Sequence, residues 1–231
     1  MNDQVQDRKV ALMGETLLCG LLGRVLYGEL DRAWLDGLVS EDVFAETPFA
    51  AEQPEAQQGI ALLQRWSEAS RGGLTDEGFA ALQKDYEGLF IGVGHVPVPS
   101  WESVYCNEQR LVFQTETLQV RGWYRQFGLQ IERLHQEPDD HIGLELSFVA
   151  HMAGLALQAI EAGDVPMVDQ LIQAQRDFLV EHLLRWGPAW AKLVIRLAGT
   201  DFFRGLGHLT YGALLAMAET VQVEMPREAA L

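Results

Sequence analysis

Residues 142–160 read IGLELSFVAHMAGLALQAI and carry the clearest structural pattern in the chain. Their apolar positions recur every three or four residues, at Ile142, Leu146, Val149, Ala153, Leu157 and Ile160. This spacing is that of one face of an α-helix. A glycine, Gly163, follows at the kind of position where helices commonly end. The stretch therefore predicts a long helix packed in a helical core.

Helical spacing recurs on both sides of this stretch. It predicts earlier helices through residues 10–25, 31–38, 60–66, 75–90 and 111–124, then a helix from Asp164, a break at Gly187-Pro188 and two final helices. Leucine and alanine (33 and 24 residues) outnumber valine and isoleucine (18 and 7), which favours helices over strands. We expect an all-α fold, a single helical bundle of about nine helices over residues 1–231. A hinge-like connector near 129–139 joins an N-terminal half, 1–128, to a C-terminal half, 140–231.

Composition places the chain among soluble globular proteins. Its 231 residues are 48% hydrophobic, and 33 acidic against 17 basic residues give a net charge of −16. The acid excess argues against binding to nucleic acid or to an anionic membrane surface, and it permits a basic partner. The longest uncharged run, 146–160, is shorter than the roughly 20 residues that span a bilayer. The two cysteines, Cys19 and Cys106, do not form a CxxC pair and are expected to be reduced thiols, as in cytosolic proteins. We therefore expect a cytoplasmic protein without stable membrane insertion.

Motifs of catalysis are missing from the sequence. Gly92-Val93-Gly94 lacks the third glycine of a dinucleotide fingerprint, and no P-loop, GxSxG or HExxH pattern occurs. The histidines show no i,i+4 pairing, and neither cysteine lies at metal-ligand spacing from the other. We therefore expect no enzymatic activity, no cofactor and no metal.

Two segments remain informative, and the first is residues 86–105, YEGLFIGVGHVPVPSWESVY. In one interpretation it is a rigid connection between helices, and its aromatic residues belong to the core. In the other, glycine and proline hold the backbone so that Trp101 and Tyr105 line a groove, because aromatic side chains suit peptide binding.

The second segment is residues 137–145, EPDDHIGLE. A structural interpretation makes Asp139 or Asp140 the N-cap of the next helix. That interpretation explains one aspartate and leaves the other acids unexplained. A carboxylate cluster that faces solvent is a natural acceptor for the arginine fork. His141 either titrates near neutrality within this cluster or forms a plain structural hydrogen bond.

Together the two segments resemble the TorD/DmsD-type family of chaperones for molybdenum-containing reductases. The family pattern Leu-Phe-x-Gly-Pro, followed by Pro-Pro-x-x-Ser-x-Tyr, is matched at Leu89, Phe90, Gly92, Pro99, Ser103 and Tyr105. The Glu-Pro-x-Asp-His motif falls on Glu137, Pro138, Asp140 and His141, and a later His-Leu…Trp element falls on His182, Leu183 and Trp186. Val93 and Ser100 stand where the family often has proline.

The resemblance implies a redox-enzyme maturation chaperone. Such a protein binds the twin-arginine leader of an apo-molybdoenzyme, such as an S- or N-oxide reductase subunit, delays its export and assists insertion of the molybdenum cofactor. The implied peptide-binding residues are Leu89, Phe90, Pro99, Trp101, Ser103 and Tyr105 at the apolar end, and Glu137, Pro138, Asp139, Asp140 and His141 at the polar end. We expect Asp140→Ala and Trp101→Ala to fold normally and to lose leader binding.

Alternatives to this function come from other classes of protein. One is an all-α metal-dependent hydrolase that uses Asp139, Asp140 and His141, and another is a general helical adaptor. Relatives in the family include monomers and domain-swapped dimers, so both oligomeric states stay open.

Overall fold

The computed structural model describes residues 2–92, 96–131 and 137–223, with side chains from Val5 onward. Within these ranges the all-α prediction is confirmed, because the described elements are helices and Trp101 and His141 form an isolated bridge rather than a strand pair. The helices are α1 (Asn2–Tyr27), α2 (Arg32–Ser40), α3 (Pro54–Ala69), α4 (Asp76–Phe90), α5 (Glu102–Cys106), α6 (Thr115–Gln126), α7 (Ile142–Ala162), α8 (Val165–Phe178), α9 (Leu184–Leu197) and α10 (Asp201–Thr220). Parts of two predicted features, residues 132–136 of the connector and 93–95 of the glycine-rich loop, lie outside the described residues.

The core forms where long helices pack in pairs. Helix α1 packs along α7, and α10 packs against α3 and α9. At the crossing of α1 and α7 the backbones approach closely, since a Cβ on Gly143 would lie 2.8 Å from the Gly23 carbonyl oxygen and 2.7 Å from the Tyr27 Cβ. This contact places Tyr27 beside the first residues of α7.

Several predicted helix ends are confirmed by their caps. The Thr75 hydroxyl accepts a hydrogen bond from the Gly78 N–H at 3.0 Å, and Asp31 accepts one from Trp34 at 2.9 Å. Asp164 does the same for Met167 at 3.1 Å, and Gly163 ends α7 in the left-handed conformation at φ 71°. These short polar residues satisfy N–H groups that the first helical turn leaves without partners.

Two local predictions are wrong. Helix α5 was missed because its five residues are too few to show a period. The predicted break at Gly187-Pro188 does not occur, because α8 continues through a π-helical segment, Leu179–Leu183, into α9 with Pro188 inside it. A π segment shifts the hydrogen-bond ladder, and proline is tolerated where that ladder is already altered.

Helix α1 presents apolar residues to solvent as well as to the core. The apolar stripe that the spacing of residues 10–25 predicts consists of Val10, Met13, Leu17, Leu21 and Val25, widened by Leu18 and Leu22. The structure buries Leu18, Leu22 and Val25, whereas Val10, Met13 and Leu17 are 58%, 54% and 62% exposed. Periodicity thus finds the apolar stripe without showing which part of it is covered. By length and composition alone, α1 and α7 are each long and apolar enough to cross a membrane. In this structure the two helices pack against each other.

Candidate functional site

The two segments singled out from the sequence meet in the structure. The Glu102 N–H donates to the Asp140 carbonyl at 2.9 Å, and the Ile142 N–H donates to the Ser100 carbonyl at 2.8 Å. Trp101 and His141 therefore face each other across a short antiparallel bridge. This pairing brings the start of α5 and the start of α7 to one place on the molecule.

Beneath this bridge lies a group of four buried acids, Glu102, Asp139, Asp140 and Glu145, which we call the acid frame. Asp140 accepts hydrogen bonds from the Ser103 N–H at 2.8 Å and from the Thr117 hydroxyl at 2.7 Å, so it ties α5 to α6. Asp139 pairs with the buried Arg121 at 2.6 Å. Both carboxylates are fixed by partners from the same chain.

The other two frame acids face α9 and the π segment. Glu102 lies 2.8 Å from Nδ1 of His182, and Glu145 accepts a hydrogen bond from the Trp186 indole at 3.2 Å. Burial, reinforced by Glu102 and Asp140, raises the pKa of the Glu145 carboxyl well above its ordinary value. The second Glu145 oxygen has no hydrogen-bond partner among the described residues.

The expectation of a carboxylate cluster that faces solvent is wrong for Asp139 and Asp140, which are 1% and 0% exposed. Their acidic groups offer no open acceptor, because Arg121 already supplies the guanidinium fork that Asp139 binds. The N-cap prediction is also wrong. His141 caps α7 instead, since its Nδ1 accepts a hydrogen bond from the Gly143 N–H at 3.1 Å. Burial lowers the pKa of His141 to about 4, so the imidazole is neutral at pH 7 and able to accept.

Above the frame lies a row of half-buried side chains that we call the rim, made of Tyr27, Trp101, Glu137 and His141. The imidazole stands between the two aromatic rings, with ring centroids 5.3 Å from Tyr27 and 5.7 Å from Trp101, both edge to face. The Tyr27 hydroxyl donates to the Glu137 carboxylate at 2.7 Å. The rim thus combines apolar ring area with a carboxylate near solvent.

The sequence patterns did not single out a further acid that lies beside the rim. Glu29 is exposed and follows α1 directly. Burial raises the pKa of the Tyr86 phenol, and the charges of Glu29 and Glu137 add to that effect, so both carboxylates lie near Tyr86. No motif marks Glu29, and its position follows from α1 ending beside His141.

The remaining predicted residues support the loops from inside. Leu89, Pro99, Ser103 and Pro138 are buried, and the half-buried Phe90 packs between Trp190 and Phe203 at 6.1 and 5.8 Å. Tyr105 lies against Trp186 at 5.2 Å, and its buried hydroxyl has no hydrogen-bond partner in the part of the chain that the structure describes. The core interpretation of these aromatic residues therefore holds for Phe90 and Tyr105.

The described acids and histidines are not arranged as metal ligands. Among the described residues, no three or more His, Cys, Asp or Glu side chains converge in a way that would hold a metal ion. Asp139, Asp140 and His141 each direct their polar atoms at a protein partner. No observation favours the metal-dependent hydrolase.

Comparison with known proteins places this architecture in a family. Residues 50–192 match the family model described as nitrate reductase delta subunit, a range that contains both loops, the acid frame and most of the rim. The chain belongs to this family. The resemblance to TorD/DmsD-type chaperones is confirmed by the same match and by the relatives.

Similar proteins are named as chaperones. The chain is 33% identical to the Tat proofreading chaperone DmsD of Salmonella typhi over 129 residues, 56% of each protein. It is 25% identical to the probable Tat proofreading chaperone DmsD of Haemophilus influenzae over 206 residues, 89% of this chain and 91% of the relative. The chaperone protein TorD of a Vibrio cholerae O1 strain, M66-2, is 31% identical over 137 residues, 59% of this chain and 58% of the relative. The expectation that the chain is not an enzyme agrees with these names.

Proposed function

We propose that the protein is a cytoplasmic maturation chaperone that binds the twin-arginine leader of an apo-molybdoenzyme. In this role it delays export of the enzyme subunit and assists insertion of the molybdenum cofactor. The single observation that carries the proposal is the bridge between Trp101 and His141, which joins the two family motifs into one surface with an aromatic row and a carboxylate.

Rim and frame have different roles in this proposal. Trp101 and Tyr27 supply flat apolar area, which binds a peptide at low cost in side-chain entropy. Glu137 supplies the negative charge that an arginine of the leader needs. The frame acids Asp139 and Asp140 are positioning residues, because their bonds to Arg121, Ser103 and Thr117 hold both loops in place.

The charge of the whole chain supports the same partner. A net charge of −16 attracts a basic leader over several ångströms and speeds its encounter with the rim. Salt screens this attraction with a Debye length of roughly 10 Å at 0.1 M. Leader association is therefore expected to slow as salt is added.

The function is tested by capturing the client directly. The tagged chain is expressed in its source cells during anaerobic growth, and captured proteins are identified by mass spectrometry. We expect a molybdoenzyme precursor that retains its twin-arginine leader. Capture of mature, leaderless enzyme alone, or of proteins without such a leader, would contradict the proposal.

A matched pair of variants makes this test specific. Trp101→Ala removes the largest ring of the rim, whereas Trp123→Ala removes an equally half-buried tryptophan that packs on Phe127 and Phe178 away from the bridge. We expect the precursor to be lost with Trp101→Ala and kept with Trp123→Ala. Equal capture by both variants would exclude the rim as the binding surface.

A further inference from the structure

An apolar groove runs beside the exposed stripe of α1. Helices α1 and α2 and the loop after α2 enclose a cavity of about 640 Å³. The apolar side chains that line it include Leu17, Leu21, Trp34, Leu38, Val43 and Phe44. Its open side is continuous with Val10 and Met13, since these residues precede Leu17 on the same face of α1. We call this surface the α1 groove.

The wall of the groove is formed by a loop whose backbone packs tightly against α1. The loop that follows α2 closes against α1 at Gly14, where any Cβ would clash with the Pro48 carbonyl. Asp42, at the groove mouth, adopts the left-handed conformation at φ 51°, which few residues other than glycine, asparagine and aspartate accept. These backbone features define the loop that forms the groove wall.

Charge around the groove selects its occupant. Among the described residues that line it, Asp42 and Glu46 are acids and Arg24 is the only cation. The Arg24 guanidinium lies 4.4 Å from the Trp34 ring centroid and marks the end of the groove toward the rim. Beyond Arg24 a smaller depression contains Glu29 and Asp31. An apolar segment with basic residues at one end matches this order.

The groove and the rim both include residues of α1. Leu17 and Tyr27 are ten residues apart on one helix, which corresponds to about 15 Å at 1.5 Å per residue. A helical peptide of the same length would span both places. The groove and the rim thus lie within the length of one short peptide.

We propose that the apolar segment of a twin-arginine leader lies in the α1 groove while its arginine pair binds at Glu29 and Glu137. This inference rests on the proposed function and adds to it the second half of the leader site. The leader docks as an amphipathic segment in an apolar groove, and Arg24 repels its basic end toward the acidic depression. The peptide thus has one direction on the protein.

Other occupants fit the groove less well. In a two-fold dimer the same patch meets itself, so Asp42 and Glu46 would face the acids of a second copy. An anionic membrane would be repelled by the same acids and by the net charge of −16. A basic, partly apolar peptide meets neither obstacle.

Two peptides and two variants of the full chain test the inference by calorimetry. The first peptide has an Arg-Arg pair followed by a leucine- and alanine-rich segment of about three helical turns. The second has every leucine replaced by serine. The double variant Leu17→Gln/Val43→Gln makes an exposed and a half-buried groove position polar. Val165→Gln, at a 65% exposed position on α8, is the control. Circular dichroism checks that each variant keeps the wild-type helical content.

We expect the wild type and Val165→Gln to bind the leucine peptide at least about tenfold more tightly than the serine peptide. The double variant should bind both peptides equally and weakly. Wild-type-like affinity of the double variant for the leucine peptide would overturn the groove proposal and leave the rim proposal standing. Failure of the wild type to bind either peptide would overturn both.

Other occupants are distinguished by two added measurements. Sedimentation would overturn the proposal if it showed a dimer that the double substitution dissociates while peptide affinity stays unchanged. Co-sedimentation with phosphatidylcholine vesicles that the double substitution abolishes, again with unchanged peptide affinity, would assign the groove to a membrane and also overturn it.

Discussion

The acid frame and the rim are neighbours and contain residues adjacent in sequence. The frame is buried in the protein interior, whereas the rim borders solvent. Asp139 and Asp140 are buried and bound to Arg121, Ser103 and Thr117, whereas Glu137 and His141 border solvent. An acidic run in a sequence therefore does not identify a binding surface. Its members divide according to which of them the fold buries.

The largest effect on stability is expected from breaking the frame at Asp139. Asp139→Ala leaves the Arg121 guanidinium buried without its partner, which costs about 3–5 kcal/mol of unfolding free energy. Urea denaturation at pH 7.5 measures it. Asp76→Ala is the control, because Asp76 pairs with Arg32 at an exposed position and should cost about 1 kcal/mol or less. Equal losses in both variants would mean that Arg121 regains water and that the frame is not rigid.

Glu145 tests the frame through pH. Its pKa is raised in the folded protein, so the unfolded chain releases this proton first as pH increases. Wild-type stability should therefore fall as pH rises above about 4.5, by up to about 1.4 kcal/mol per pH unit, until the folded carboxyl also ionises. Glu145→Gln removes this dependence. The difference in unfolding free energy should increasingly favour the variant from pH 5 to 8, and a constant difference would contradict the assigned burial.

His141 should show the opposite sign, because its pKa is lowered to about 4. The unfolded chain takes up a proton near pH 6.5 while the folded imidazole stays neutral, so stability falls as pH decreases from about 6.5 to 4. His141→Asn keeps a short acceptor for the Gly143 N–H and removes the titration. For a half-buried ring we expect a loss of about 1–2 kcal/mol between pH 7 and 5 in the wild type that the variant lacks. Parallel pH curves for the two proteins would show that His141 is exposed to water.

Glu29 should have the smallest effect on stability. Glu29→Gln, at an exposed position, is expected to change the unfolding free energy by less than about 0.5 kcal/mol. Its effect should appear in stopped-flow association of an Arg-Arg peptide, as a slower rate with a weaker dependence on salt. An unchanged rate would remove Glu29 from the arginine end of the site.

Sequence patterns predicted what depends on local interactions. Helical periodicity predicted the class of the fold and many helix ends, including the starts that Asp31, Thr75 and Asp164 cap in the structure. These features depend on neighbours within one turn. The two motif segments were also identified correctly as parts that meet, through the resemblance to a family. Long-range partners could not be predicted. No spacing indicates that Arg121 reaches Asp139, or that Gly23 and Gly143 bring Tyr27 to His141.

The contacts of Asp140 that only the structure reveals change the expected outcome of the Asp140→Ala substitution. From sequence, Asp140→Ala was predicted to fold normally. In the structure this substitution leaves the Ser103 N–H and the Thr117 hydroxyl buried without an acceptor, which is expected to cost about 2–4 kcal/mol. A loss of leader binding in that variant would therefore not separate a contact from a collapsed loop.

Asp140→Asn and Glu137→Gln together test the central claim. This claim is that the rim binds the leader, whereas the acid frame only holds the rim in position. Asparagine at 140 still accepts from Ser103, and its amide donates to the Thr117 hydroxyl, which is free to rotate. Calorimetry with an Arg-Arg leader peptide, on folded protein of each variant, should show near wild-type affinity for Asp140→Asn. Glu137→Gln should weaken binding by about fivefold or more. Lost binding in folded Asp140→Asn, with wild-type affinity in Glu137→Gln, would contradict the account.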